Sequence, residues 1–245
     1  VGLNRTLPLV ATGGGQGLGQ HIDRFGAMAM GDLTEAERAH AAWRSLRRDE
    51  LADCVACEAD QHMDFLVHVE RDEEAIAAFE KLIAGNLRCS SVPQRSHGKI
   101  IRSFTRLGRE DDAQRICQTG YPMARTNPMF LSQICEYLLF HVRQRDIAAG
   151  VRVLENHLPW ALATTDSEVR VRFLTAAGFL CELLARENDT GKLRLPREFP
   201  LFSDDGVYET AKLHDWFAQQ ADNLTARFNE RSGNEYYTKL MHQSR

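Results

Sequence analysis

The sequence predicts an all-α protein of about five helix pairs followed by a C-terminal capping helix. Three observations carry this. Apolar residues recur at three- and four-residue spacing almost without interruption from Gln16 to Glu187. Short polar elbows recur as well, at residues 30–36, 69–75, 107–113 and 143–149. Aligning the alanine that closes each elbow (Ala36, Ala75, Ala113 and Ala149) gives a period of roughly 36–39 residues, the mark of an internal repeat. Finally, helix-start chemistry stands where each pair needs it, as Thr34-Glu-Ala-Glu37, Asn127-Pro128 and Thr165-Asp-Ser-Glu168.

Residues 1–15 read as a Gly-rich lead-in. The first pair follows at 16–30, with Leu18, Ile22, Phe25 and Ala29 as its apolar side, and at about 34–48, with Ala36, Ala39 and Trp43 on one face. The second pair carries Val55, Ala59, Met63, Leu66 and Val67, then Ala75, Ala78, Phe79 and Leu82, and stops at Gly85-Asn86. Pro93 suits the first turn of the third pair, 94–107 and 111–118. The fourth spans 129–142, apolar on most sides, and 146–158, ending or bending at Pro159. The fifth begins at Thr165 and runs through Val169, Phe173, Ala176, Leu180 and Leu184. Residues 188–206, with two prolines and two glycines, read as a surface connector. The last helix, about 207–230, sets Leu213, Trp216, Phe217, Leu224 and Phe228 on one side and suits a cap, with a fraying tail to 245.

Composition narrows the function classes. With 43% hydrophobic and 26% charged residues, wholesale disorder is excluded. A net charge of −4 gives no global attraction to nucleic acid or an anionic membrane, and aromatic and basic residues interleave too sparsely for a single-strand platform. No apolar run reaches the roughly 20 residues of a membrane span, and the start lacks a secretory pattern. The six cysteines, scattered through predicted helices, suit buried thiols in a reducing compartment. The expected location is the cytoplasm.

The repeat resembles the tetratricopeptide superfamily over residues 16–187, most clearly at Gly31-Asp32…Ala36 and Leu107-Gly108…Ala113. It is also similar to bacterial tetratricopeptide proteins that carry an Asp-Cys-x-Ala-Cys segment, here Asp53 to Cys57. The resemblance implies a right-handed α-α superhelix, a solenoid whose concave face is lined by the first helix of each pair. It implies a non-enzymatic scaffold that binds a protein or peptide segment there.

Candidate ligand-holding residues follow from spacing. Arg95, Lys99, Arg102 and Arg106 stand at i, i+4, i+7 and i+11, one basic stripe opposite Ile100, Ile101, Phe104 and Leu107. Glu168, Arg172, Thr175, Glu182 and Arg186 make a polar stripe on the fifth pair. Planar guanidinium groups of Arg102, Arg106 and Arg172 suit the carboxylates of an acidic peptide. The competing reading of such stripes is a solvated helix face.

Cys54 and Cys57 have half the spacing of a zinc site, with Cys89, His62 or His97 available to add ligands. No second pair at metal-ligand spacing completes it, so the expectation is no metal and no cofactor. Thr12-Gly-Gly-Gly-Gln-Gly-Leu-Gly19, after the short apolar run 7–11, is similar to the Gly-rich loop of short-chain dehydrogenases. That leaves an NAD(P)-binding oxidoreductase using Gly13–Gly19 as an alternative, although the family's Tyr-x-x-x-Lys pair and alternating βα units are missing. A homodimer through Trp160 or the apolar side of 207–230 is the other alternative.

Overall fold

The computed structural model of the chain describes residues 16–243 and is helical almost throughout. Five helix pairs follow one another: α1 (Gln16–Met30) with α2 (Leu33–Ser45), α3 (Val55–His68) with α4 (Asp72–Ala84), and α5 (Gln94–Arg106) with α6 (Glu110–Ala124). A 3-10 turn, Pro128–Phe130, leads into α7 (Leu131–Arg143) and α8 (Ile147–Ala163), and α9 (Ser167–Glu187) pairs with α10 (Thr210–Ser232). A last short helix, α11, spans Tyr236–Gln243. The first helices of successive pairs lie side by side, α3 on α5, α5 on α7 and α7 on α9. One continuous core runs from Ala27 to Met241.

The elbows repeat down to the backbone. Residues 31, 70, 108 and 145 all adopt the left-handed conformation, with φ of +72°, +58°, +68° and +54°. Their spacings are 39, 38 and 37 residues, and each is held by the same two hydrogen bonds. In the second elbow Glu70 N–H donates to the Val67 carbonyl and Arg71 N–H to that of Leu66; in the third Gly108 donates to Thr105 and Arg109 to Phe104. This geometry satisfies carbonyls that the end of a helix leaves without partners. Two of the four positions are Gly and two are not, which gives a paired prediction. Gly108 has open space around a would-be Cβ, so Gly108→Ala should cost about 1 kcal/mol through backbone strain alone, and Arg145→Gly should gain a similar amount. Urea midpoints moving the same way in both variants would contradict this.

Several sequence expectations are corrected. α1 does not bury the side that its apolar periodicity marks: Ile22 is 57% and Phe25 39% exposed, while Arg24 is fully buried. Arg24 lies over the rings of Phe25 and Trp43, each 4.6 Å from its guanidinium carbon, and donates to His40 Nδ1 at 3.2 Å. Cation–π contact and a hydrogen bond thus hold a polar side chain where an aliphatic one was expected. The cap of α2 is Asp32, whose carboxylate accepts from Glu35 N–H, and not Thr34; α9 is capped by Asp166, and not Thr165. α6 extends to Ala124 around Pro122, and α8 passes through Pro159 to Ala163. Burial of Ala124, Leu158 and Ala161 offsets the backbone hydrogen bond each proline removes.

The chain between α9 and α10 is packed, not draped. β1 (Thr190–Lys192) pairs antiparallel with β2 (Val207–Glu209), setting Gly191 opposite Tyr208. Leu193, Leu195 and Phe199 are buried, and the Phe199 ring meets those of Trp216 and Phe217 at 4.8 and 5.6 Å. α10 lies along α9 with Leu213, Phe217 and Ala221 buried. The apolar side expected to serve a homodimer is therefore engaged within the chain, and Trp160 rests against His157 with ring centres 4.5 Å apart.

Where a fraying tail was expected, the described residues form a helix over Tyr236–Gln243. After Gly233, α11 turns back to the first pair. Asn234 donates its side-chain N–H to the Met30 carbonyl, and the Tyr236 ring fills the space where Gly31 lacks a side chain. Tyr237 is 1% exposed and stacks on Phe228, with ring centres 4.4 Å apart. Residues 234–236 thus link the end of α10 to the first pair.

Candidate functional site

The basic stripe of α5 binds its neighbours. Arg95 Nε lies 2.6 Å from an Asp60 carboxylate oxygen, and Lys99 Nζ stands 3.1 Å from Asp60 and 2.9 Å from Asp64. Asp60 is fully buried and also accepts from Ser96 Oγ at 2.6 Å. Arg102 grips Glu136 of α7 with two parallel hydrogen bonds of 2.7 and 2.6 Å. Arg106 does the same to Asp72 of α4 at 2.8 and 2.5 Å, and donates a further bond to the Val67 carbonyl. The i, i+4, i+7, i+11 spacing is thus a ladder of ion pairs from α5 to both adjoining pairs, more buried than a solvated face.

Burial opposes ionisation of Glu136, but Arg102 and Arg172 outweigh it and hold its carboxyl below the usual range. For Asp64, burial is outweighed chiefly by Lys99. Arg172 sits in the field of Glu136 and Glu168 without a hydrogen bond to either among the described residues.

Part of the stripe also faces a trough. A cavity of about 530 Å³ is lined by Leu33, Val67, His68, Arg102, Arg106, Arg143, Lys239 and Leu240, among others. A second, of about 190 Å³, shares Val67, His68, Arg102, Tyr236 and Leu240 with it and adds Asp64, Glu168 and Arg172. The structure therefore brings Arg102, Arg106 and Arg172 together at the trough and directs Arg95 and Lys99 to α3. His68, Arg143 and the whole contribution of α11 were missed from sequence. The available signal was Tyr237, Leu240 and Met241 at helical spacing.

A second cluster lies at the opposite ends of α3 and α4, where two longer loops meet. Cys54 is the N-cap of α3 and Cys57 stands in its first turn; Cys89 comes from the loop between α4 and α5. The three Sγ atoms all lie within 4.8 Å of one another, and those of Cys57 and Cys89 are 3.6 Å apart. Cys54 Sγ accepts the Cys57 backbone N–H at 3.3 Å. Burial raises the Cys57 thiol, whereas at Cys89 burial is outweighed by hydrogen bonds from Ser91 and Val92, which favour the thiolate. Cys117, Cys135 and Cys181 are buried singly and pushed up to about 12 by burial.

The histidines do not join this cluster. His97 Nδ1 bonds the Pro93 carbonyl at 2.9 Å. His62 Nδ1 meets His40 Nε2 at 3.0 Å. Because an Arg can only donate, Arg24 fixes His40 Nδ1 as acceptor, which makes His40 Nε2 the donor to His62.

Of the Gly-rich segment, residues 7–15 lie outside the described residues, and Gln16–Gly19 form the first turn of α1. The only sheet among the described residues is the β1–β2 antiparallel pair, so they hold no parallel βαβ unit for a dinucleotide. Among them, too, no helix is long and apolar enough to cross a membrane. No family model matches the chain, and neither curated proteins nor solved structures yield a match.

Proposed function

We propose that this chain is a non-enzymatic scaffold, a tetratricopeptide-like superhelix whose trough binds a peptide segment with an acidic, carboxylate-bearing end. The observation that carries the reading is the trough's lining. Arg102, Arg106, Arg143 and Lys239 stand around it with apolar Leu33, Val67 and Leu240; Glu70 is the one carboxylate in its lining, while Glu136 and Asp72 hold Arg102 and Arg106 from behind. Aliphatic walls supply burial and the cationic groups supply orientation, the usual division of labour in a binding cleft. Four identical elbows and first helices set side by side support the repeat reading. α11 bears on the occupant, because its own Tyr236 and Leu240 pack along this trough. A short amphipathic segment fits there.

Arg102 and Arg106 are unsuitable probes, since their ion pairs also hold the helices together. Lys239 is exposed on α11 and has no such duty. The test is a peptide array probed with the full chain, comparing acidic peptides that end in a free carboxylate with their amidated and lysine-substituted forms. Preferential capture of the first set, weakened about tenfold by Lys239→Glu and by raised salt, is expected. Capture indifferent to peptide charge and to this substitution would dismiss the reading.

A further inference from the structure

We propose that Cys54, Cys57 and Cys89 form a zinc site with three thiolate ligands and a fourth position open to water. Zinc held by thiolates takes a tetrahedral arrangement with Zn–S near 2.3 Å, which places neighbouring sulfurs about 3.8 Å apart. Cys57 and Cys89 stand at 3.6 Å, and all three sulfurs fall within 4.8 Å, a gap closed by small side-chain rotations. Hydrogen-bonding groups already stand at the sulfurs: Cys57 N–H donates to Cys54 Sγ at 3.3 Å, and Ser91 Oγ lies 3.6 Å from Cys89 Sγ. Such donors stabilise sulfur as thiolate and orient it, the role that outer partners play around metal-bound ligands.

Charge is also provided for. Three thiolates and one Zn²⁺ leave a single negative charge, and Arg95 exerts its positive field on Cys57 from beside the cluster. The start of α3 adds the positive end of a helix dipole at Cys54 and Cys57. Arg95 Nε is engaged by Asp60, and one buried terminal nitrogen of Arg95 has no hydrogen-bond partner among the described residues. A site anion would give that nitrogen one.

Packing supports a local role. Cys57 and Cys89 border a small satellite core of Ala56, Leu82 and Val92, separate from the main one. Cys54 closes the loop between α2 and α3, and Cys89 belongs to the loop between α4 and α5. A metal bridging them would tie these two loops together beside that satellite core. On binding, each of the three thiols releases its proton to solvent as a sulfur–zinc bond forms, with no change of oxidation state. Cys54 is exposed and the other two are partly so, which gives the ion access and leaves the fourth position to water. A closed structural site would need a fourth protein ligand, and no His, Asp or Glu joins the three sulfurs among the described residues.

The experiment uses the full chain, reduced and stripped of metal, then titrated with Zn²⁺ against a chromophoric chelator. One equivalent should bind. Co²⁺ in its place should show thiolate-to-cobalt charge-transfer absorption and the intense visible bands of a tetrahedral ion. Cys89→Ser and, separately, Cys54→Ser should weaken zinc binding by about 100-fold or more and diminish the charge-transfer band, because each removes a ligand. Cys181→Ser should leave both unchanged, and circular dichroism checks that every variant folds. Zinc should also raise the Tm of the parent chain but not of Cys89→Ser. Absence of stoichiometric zinc with all three thiols reactive would overturn the proposal. So would a Cys57–Cys89 disulfide persisting as the native form, uptake of copper(I) with no uptake of zinc, or equal affinity in Cys89→Ser.

Discussion

Lowering the pH from 7 towards 5 should destabilise this protein steeply. The groups responsible are four histidines held neutral in the fold. Burial, with Arg24 and His62 adding to it, lowers His40 to about 3. Burial is also the leading cause at His62, His68 and His157, each lowered to about 4. The geometry shows why a proton is unwelcome. His40 Nδ1 accepts from Arg24 and its Nε2–H donates to His62, so a second proton on His40 would face a guanidinium. His157 is 1% exposed and shares a 3.1 Å hydrogen bond with Tyr121.

The sign follows from linkage. A histidine in the unfolded chain binds its proton near pH 6.5, whereas in the fold it stays neutral to about pH 4. Between those values the unfolded state carries more protons, so stability is complete above about pH 6.5 and is lost as the pH falls. Each such proton contributes about 1.4 kcal/mol per pH unit at most. His62 and His68 keep some contact with water, and discounting them leaves two to three effective protons, or about 3–4 kcal/mol per pH unit near pH 5. That slope would exhaust the roughly 5–15 kcal/mol typical of a domain within a few pH units. Urea midpoints taken at half-unit intervals check this, and a midpoint flat between pH 7 and 5 would refute it. His40→Asn should make the curve shallower.

Removing the Glu136 carboxylate should cost about 3–5 kcal/mol, more than removing either cation beside it. Glu136 is 5% exposed and is the acceptor shared by Arg102, through two hydrogen bonds, and Arg172, through its field. In Glu136→Ala both guanidinium groups lose the carboxylate that most offsets their charge while remaining only partly hydrated. In Arg102→Ala, Glu136 still faces Arg172, so the loss should be about half as large. The asymmetry separates a shared acceptor from a simple pair. Urea unfolding of the two variants and the double variant measures it, with non-additivity as the signature of direct coupling. Equal losses in the two single variants would contradict the shared arrangement. The contribution of Glu136 to pH dependence lies lower than that of the histidines. Its depressed value means the stability it supplies is present above about pH 4.3 and is lost as the pH drops through the folded value.

The sequence by itself determined the helical pairs. The periodicity of α5 and α9, the alanines at 36, 75, 113 and 149 and the polar elbows are local features, and a helix is specified by what recurs three and four residues apart. Most helices therefore fall close to where their spacing puts them, and the first matches its expected bounds. Where local signals competed, burial chose. Asp32 displaced Thr34 as a cap, and packing carried α6 and α8 through their prolines.

What the side chains do to one another was decided only by tertiary structure. Arg102 and Glu136 are 34 residues apart, Cys57 and Cys89 are 32, and Tyr236 meets His68 across 168. No spacing rule reaches across such separations, because the contact depends on how one pair is rotated against the next. The basic stripe was plain in the sequence, but its partners were not, so a ladder of ion pairs read as a free surface. In the same way Cys54 and Cys57 read as half a site until the fold set Cys89 beside them. Burial of Tyr237 gave α11 an anchor that eight residues of weak helix lack in isolation, since a segment that short gains order only from the surface it packs against.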